Sequence, residues 1–228
     1  MTKYTGTSTL ESMSQAGFYN KWTLNKFKKY LKGEILEIGC GIGNFTSTLS
    51  KFGKVTAIDI DPSLIENFKK DNISNIKSGY GNIENGEYFF KDKTFDTIVC
   101  INVLEHIKDD TKALENMFKL LKPGGNLILL VPIHNFLFGE IDKAIGHFRR
   151  YDQKELIKKL QDLNFSIISN NRLNFIGAIA WFIAGKIFKN KQITENKIKL
   201  FSLISPILNL ENLIEPPIGT SILIVAKK

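Results

Sequence analysis

Three histidines occur in the 228 residues, each close behind a strand-like apolar run. His106 follows FDTIVCIN, His134 follows LILLVP, and His147 lies in the loop after that. Histidine titrates near pH 6.5 and can take a proton from a hydroxyl at neutral pH. His106 and His147 are therefore candidate general bases, and His134 a candidate substrate contact. A further cluster is GHFRRYDQKEL, residues 146–156. Asp152 and Glu155 have capping-box spacing, which leaves Arg149 and Arg150 just ahead of a helix N-terminus. Two guanidinium groups there suit a phosphate or carboxylate of the substrate. A salt-bridged hinge that holds the loop is the other open reading.

Ligand chemistry also shows in EILEIGCGIGNFT, residues 34–46. Gly39, Gly41 and Gly43 alternate with Cys40 and Ile42, and such a loop lets a ligand touch backbone. A dinucleotide fingerprint would place its third glycine at 44, where the chain has Asn44. Asp59 ends the next apolar run and suits the hydroxyls of a ribose. NAD sites share this arrangement, so the loop and Asp59 alone leave the ligand open.

Apolar runs alternating with helical patterns must position these groups. Strands are expected near 34–39, 54–59, 76–80, 94–101, 126–132, 165–170 and 220–226. Helices are expected near 14–31, 43–51, 62–71, 109–122 and 152–163. The runs ILEIG, VTAIDI, FDTIVCI and LILLVP are nearly continuously apolar, as strands covered on both faces are. The fold class is α/β: a doubly wound, mainly parallel, seven-stranded Rossmann-like sheet with a reversed last strand. Residues 1–228 read as a single domain with a helical insertion at about 172–217 before that strand. The insertion reads as two amphipathic helices beside the site. Phe175, Ile179, Phe182 and Ile183 form a helical apolar face, widened by Ile176, Ala180 and Ile187. Trp181 lies off that face, and Lys186, Lys189 and Lys191 follow. The face either packs on the sheet edge or touches an anionic membrane.

Composition narrows the classes. Apolar content is 43% and charged content 24%, ordinary for a globular protein. The net charge of +8 fits either an anionic partner or mere solubility. The two cysteines, Cys40 and Cys100, read as buried thiols rather than a bridge. The polar N-terminus reads as lacking a signal peptide, and the expected location is cytoplasmic or peripheral to the inner face of the membrane.

Taken jointly, LEIGCGIGN, AIDID, FDTIVCINVLEHI and LKPGG resemble class I S-adenosylmethionine (SAM) methyltransferases over about residues 14–171 and 218–228. SAM has no pyrophosphate, which accounts for Asn44. The resemblance implies that Gly39, Cys40, Gly41 and Gly43 pass the methionine part of SAM. It implies that Glu37 orients the loop and the amino group, that Asp59 takes the ribose, and that Ile60 and Ile83 border the adenine. Asn82 would read the adenine edge, with an amide where an acid is common, and Asn102 would lie beside the methionine. Asn102 to His106 also resembles the E-x-x-E-H of metal-binding methyltransferases. Asn102 removes the first charged ligand, and no metal is expected. LFGEIDKAIGHFRRY resembles a bacterial subgroup whose first helix carries an F-Y-N-K-W-like segment. Tyr19 and Trp22 in that segment would close over the acceptor. The implied activity is methyl transfer to a small or lipid-linked acceptor, most readily at oxygen. Nucleic acid is not an expected partner, because the insertion is apolar rather than a basic stripe with exposed aromatics. An RNA methyltransferase, a non-catalytic SAM-fold module and an NAD-type oxidoreductase remain as alternatives; the last lacks a recognisable hydride relay. The acceptor and the oligomeric state are not legible.

Overall fold

The sheet order follows from which runs are apolar on both faces. In the computed structural model, which describes residues 17–68, 74–184 and 203–228, eight strands form one sheet. In chain order the strands are β1 (Glu34–Ile38), β2 (Lys54–Asp59), β3 (Ile76–Asn82), β4 (Glu87–Tyr88), β5 (Phe95–Ile101), β6 (Leu121–Pro132), β7 (Ser166–Leu173) and β8 (Ser221–Lys227). Their spatial order is β4-β3-β2-β1-β5-β6-β8-β7. The pairs from β3 through β6 are parallel, and β8 runs antiparallel to both β6 and β7. The order reverses at β1, so the loops after β1 and β5 open onto one crevice, the usual ligand place in such a sheet.

Both faces of the sheet are covered. Leu127, Leu129 and Val131 of β6 join one core with Ala113, Leu114 and Met117 of helix α4 (Asp110–Leu120). Ile128 and Leu130, alternating with them, join a second core with Trp22 and Phe27 of helix α1 (Gly17–Phe27). The period of two explains why these runs read as continuously apolar.

Several expected elements change shape. The helix expected at 43–51 shrinks to α2 (Thr46–Leu49), because Gly41 and Gly43 hold φ of 51° and 88° and keep the chain in a turn. The helix expected at 62–71 is described as α3 (Pro62–Phe68); the rest of that span, like residues 14–16, lies outside the described residues. The sheet has eight strands where seven are expected. β4 is a two-residue antiparallel partner of β3 beyond a turn at Gly86, too short to give a periodic signal. β6 starts at Leu121, earlier than 126, and LKPGG forms a strand irregularity with Gly124 at φ 74°. A short helix α5 (Glu140–Ala144) precedes α6 (Gln153–Asp162). Asp152 caps α6, accepting from the amides of Lys154 and Glu155.

The insertion gives α7 (Phe175–Phe182) and, after α-helical residues 203–204, a 3₁₀ helix over Ser205–Asn212 that opens through Pro206; the part of the expected second helix before 203 lies outside the described residues. Ile187, Lys186, Lys189 and Lys191 lie outside the described residues. Phe27 is fully buried between α1 and the sheet, so Phe27→Ala should cost about 3–5 kcal/mol. Ile168→Ala, on the half-exposed outer strand, should stay within about 0.5 kcal/mol. Urea unfolding of the two variants side by side checks the difference.

Candidate active site

The glycine loop is held by the strand beside it. Gly39 and Cys40 donate their amides to the Ile58 carbonyl at 2.8 and 3.1 Å. Asp59, at the end of β2, accepts from Gly41 N at 2.8 Å and Asp61 N at 3.0 Å. Gly39 has φ 70°, and a Cβ there would come within 2.3 Å of Val103, so the loop also needs glycine to lie against the chain after β5. Below the loop, Glu37 is buried and its Oε2 has no partner among the described residues. Burial pushes this carboxyl up to about 8, and nearby Asp59 adds to the rise.

A cavity of about 700 Å³ runs from this loop to α7. Tyr19, Cys40, Ile60, Asn82, Ile83 and Asn102 border it, as do Glu37, Gly39, Gly41 and Asp59. Asn102 sits at φ 52°, a backbone geometry asparagine tolerates, and its amide bonds the Leu130 carbonyl. Asn82 also accepts from Asn85 N at 3.1 Å as an ordinary turn residue. Gly43, Trp22, His134 and Arg149 are not among the lining residues. Trp22 is turned into the second core, where its indole N–H donates to the Leu208 carbonyl at 3.0 Å. It joins α1 to the C-terminal segment rather than facing an acceptor.

Glu105, His106 and His147 line the same cavity. Glu105 and His106 lie in a 3₁₀ turn directly after β5, and His147 follows α5. The two imidazole rings are 4.7 Å apart at 77°. The His106 Nδ1 lies 3.2 Å from the Gly146 carbonyl, and burial, then the neighbouring His147, pushes His106 down to about 4. That makes His106 a weak base at neutral pH. His147 Nδ1 meets Asp142 Oδ1 at 2.9 Å, and its Nε2 lies 3.7 Å from Glu105 Oε1. Glu105 is fully buried, neither oxygen has a hydrogen-bond partner among the described residues, and burial pushes it up to about 7 against the pull of His147. Ligand-type atoms of these three residues lie within 4.8 Å of one another.

The two arginines are engaged by protein. Arg150 is buried and donates to Asp142 at 2.8 Å and to the Ile133 and Thr220 carbonyls. Arg149 pairs with Asp110 at 3.0 Å and donates to the Lys108 carbonyl. Tyr151 donates to the same Asp110, so the motif fastens the loop onto α4. This geometry is that of the hinge; only Arg150 of the pair borders the cavity. His134, at φ 68°, lies with its ring tilted 34° to that of Phe136, and its Nε2 is buried without a hydrogen-bond partner among the described residues. Asp142 was not legible as a site residue, and Glu105 was visible only as a neighbour of His106. The signal for Asp142 is its place five residues before His147 across the short α5.

The site fits SAM. Glu37 offers a buried oxygen with no hydrogen-bond partner among the described residues, Asp59 ends β2 beside the loop, and both line one cavity with the two histidines. A methyltransferase-domain family model matches residues 15–170. An uncharacterized protein of Methanocaldococcus jannaschii is 31% identical over 68% of this chain and 65% of its own length. The ubiquinone biosynthesis O-methyltransferase of Coxiella burnetii is 37% identical over 46% of this chain and 47% of its own. The chain thus spans less than two thirds of either relative. The crystal structure of a SAM-dependent methyltransferase from Archaeoglobus fulgidus superposes with TM-score 0.63 at 18% identity, over 93% of this chain and 94% of that one. If Glu37 must ionise to meet the ligand ammonium, calorimetry with S-adenosylhomocysteine at pH 7 in buffers of differing ionisation enthalpy should show proton release. Glu37→Gln should abolish the release and weaken binding by about 1–3 kcal/mol. The sheet order, the loop after β1 and the matched family model agree: the chain belongs to the class I SAM-dependent methyltransferases.

Proposed function

We propose that the protein transfers the methyl group of SAM to a hydroxyl of a small apolar or lipid-linked acceptor. The observation that carries this reading is an apolar wall set beside ionisable groups in one cavity. Ala180, Trp181, Ile183 and Ala184 line it, as do Glu105, His106 and His147, and Trp181 and His147 meet at Asp142. An acceptor that is apolar apart from one hydroxyl end matches such a cavity. Relatives named for O-methylation in ubiquinone biosynthesis, matched over under half the chain, support oxygen as the target.

Bound SAM supplies a methyl carried on a positively charged sulfur. Glu37 would meet its amino group and Asp59 its ribose hydroxyls. The chain's remaining work is to align the acceptor oxygen and remove its proton. His147 is the better-placed base: its Nδ1 is bound to Asp142, its Nε2 is not, and the residue lines the cavity. With tritiated methyl-SAM, a long-chain alkylphenol in detergent should gain label in the organic phase, and His147→Ala should slow this by about 10²–10⁴-fold. Label in bulk tRNA instead, or an unchanged His147→Ala rate, would overturn the reading.

A peripheral seat on a membrane face accords with such an acceptor. No helix of the described residues is long and apolar enough to span a bilayer. Phe175, Ile179 and Phe182 of α7 are exposed and are not among the cavity's lining residues, and Leu213 and Ile214 are 83% and 77% exposed. Trp181 is turned the other way, onto the cavity and Asp142, rather than to an interface. Vesicles containing a third anionic lipid should pellet the protein at low salt, and Leu213→Glu with Ile214→Glu should release it.

A further inference from the structure

We propose that Asp142 is the positioning residue of the transfer: it fixes the tautomer of His147 so that Nε2 faces the acceptor unprotonated. This rests on the reading of His147 as the base. Asp142 is fully buried on α5, and its Oδ1 lies 2.9 Å from His147 Nδ1. The backbone repeats the link, since His147 N donates to the Asp142 carbonyl at 2.9 Å. The imidazole is thereby held at both its ring and its main chain.

The carboxylate itself cannot turn away. Oδ1 also accepts from Arg150 Nε at 2.8 Å, and Oδ2 accepts from Gly139 N at 2.9 Å and Trp181 Nε1 at 3.1 Å. Burial opposes the charge on Asp142, and the bonds from His147 and Arg150 overcome it, so it stays an acceptor. An acceptor at Nδ1 requires the proton to sit there, and the proton's place on one ring nitrogen is set by the bond at the other. In the neutral ring Nε2 is then left bare. His147 lines the cavity, and Glu105 Oε1 lies 3.7 Å from Nε2, beyond a hydrogen bond. In the transfer, the acceptor O–H proton passes to Nε2 as the new O–CH₃ bond forms and the S–CH₃ bond breaks. The imidazolium that results is stabilised by Asp142, and the sulfur leaves neutral.

Histidine-selective ¹⁵N labelling, with His147→Gln to assign the signal, reads the tautomer directly in EDTA-treated protein at neutral pH. The wild type should show Nδ1 protonated and Nε2 bare. Asp142→Asn should move the proton to Nε2, since an amide can donate to Nδ1. In another enzyme class that exchange of tautomer lowers kcat by about 10⁴-fold. Should Asp142→Asn fail to fold because Arg150 is stranded, Asp142→Asn with Arg150→Met removes the stranded charge and is read in its place. A His147 that keeps Nδ1 protonated in the folded variant would overturn the proposal. A moved proton with unchanged transfer to the alkylphenol would uphold the positioning and overturn His147 as base, which separates the two readings. A matching loss of kcat, with KM for SAM unchanged, would uphold both.

Discussion

A carboxylate taken out of water must be surrounded by donors, and Asp142 has four: Gly139 N, His147 Nδ1, Arg150 Nε and Trp181 Nε1. Stripping one partner from such a buried pair costs about 3–5 kcal/mol, because the other charge is left stranded. The arrangement therefore acts as a fixed point. Through Arg150 it reaches the Ile133 and Thr220 carbonyls beyond the ends of β6 and β8. Through Trp181 it seats α7, and through His147 it reaches the cavity lining. The loop, the insertion and the sheet meet at this one group.

The sheet was legible because its strands are covered on both faces, so their apolar runs are long and uninterrupted, as in LILLVP. The loop after β1 was legible because glycine at alternate positions has few other uses. What escaped the sequence lacked periodicity or depended on distant partners. β4 is two residues long. The shortening of α2 depends on positive φ at Gly41 and Gly43. Trp22 carried an aromatic signal consistent with an acceptor lid, yet its partner is Leu208, far away in sequence. Arg149 and Arg150 look alike in GHFRRY, but one meets Asp110 on α4 and the other Asp142 on α5. No local pattern distinguishes them.

Two acids of the site are held by the fold toward their neutral form. Burial raises Glu37 to about 8 and Glu105 to about 7, above the ordinary carboxyl range. The folded chain then binds protons there that the unfolded chain has released, so each acid lowers stability as pH rises from about 4.5 toward its folded value. A ligand that brings a cation or a hydroxyl to these groups relieves part of that cost. Asp110 is the opposite case: burial opposes its charge, but Lys159, Tyr151 and Arg149 hold its carboxyl below the usual range. Its contribution is present at neutral pH and fades on acidification.

The chain has two tryptophans, and each indole N–H is committed across a seam. Trp22 joins α1 to the 3₁₀ segment at Leu208, and Trp181 joins α7 to Asp142, with the Arg150 guanidinium 4.8 Å from its ring. Neither belongs to a strand. The intrinsic fluorescence of the protein therefore comes from the two places where the C-terminal segments are fastened, and not from the sheet. Emission and far-ultraviolet circular dichroism thus watch separate parts of one molecule. Any loosening of the fastened segments ahead of the sheet would appear as light emitted at longer wavelength while the backbone signal stands still.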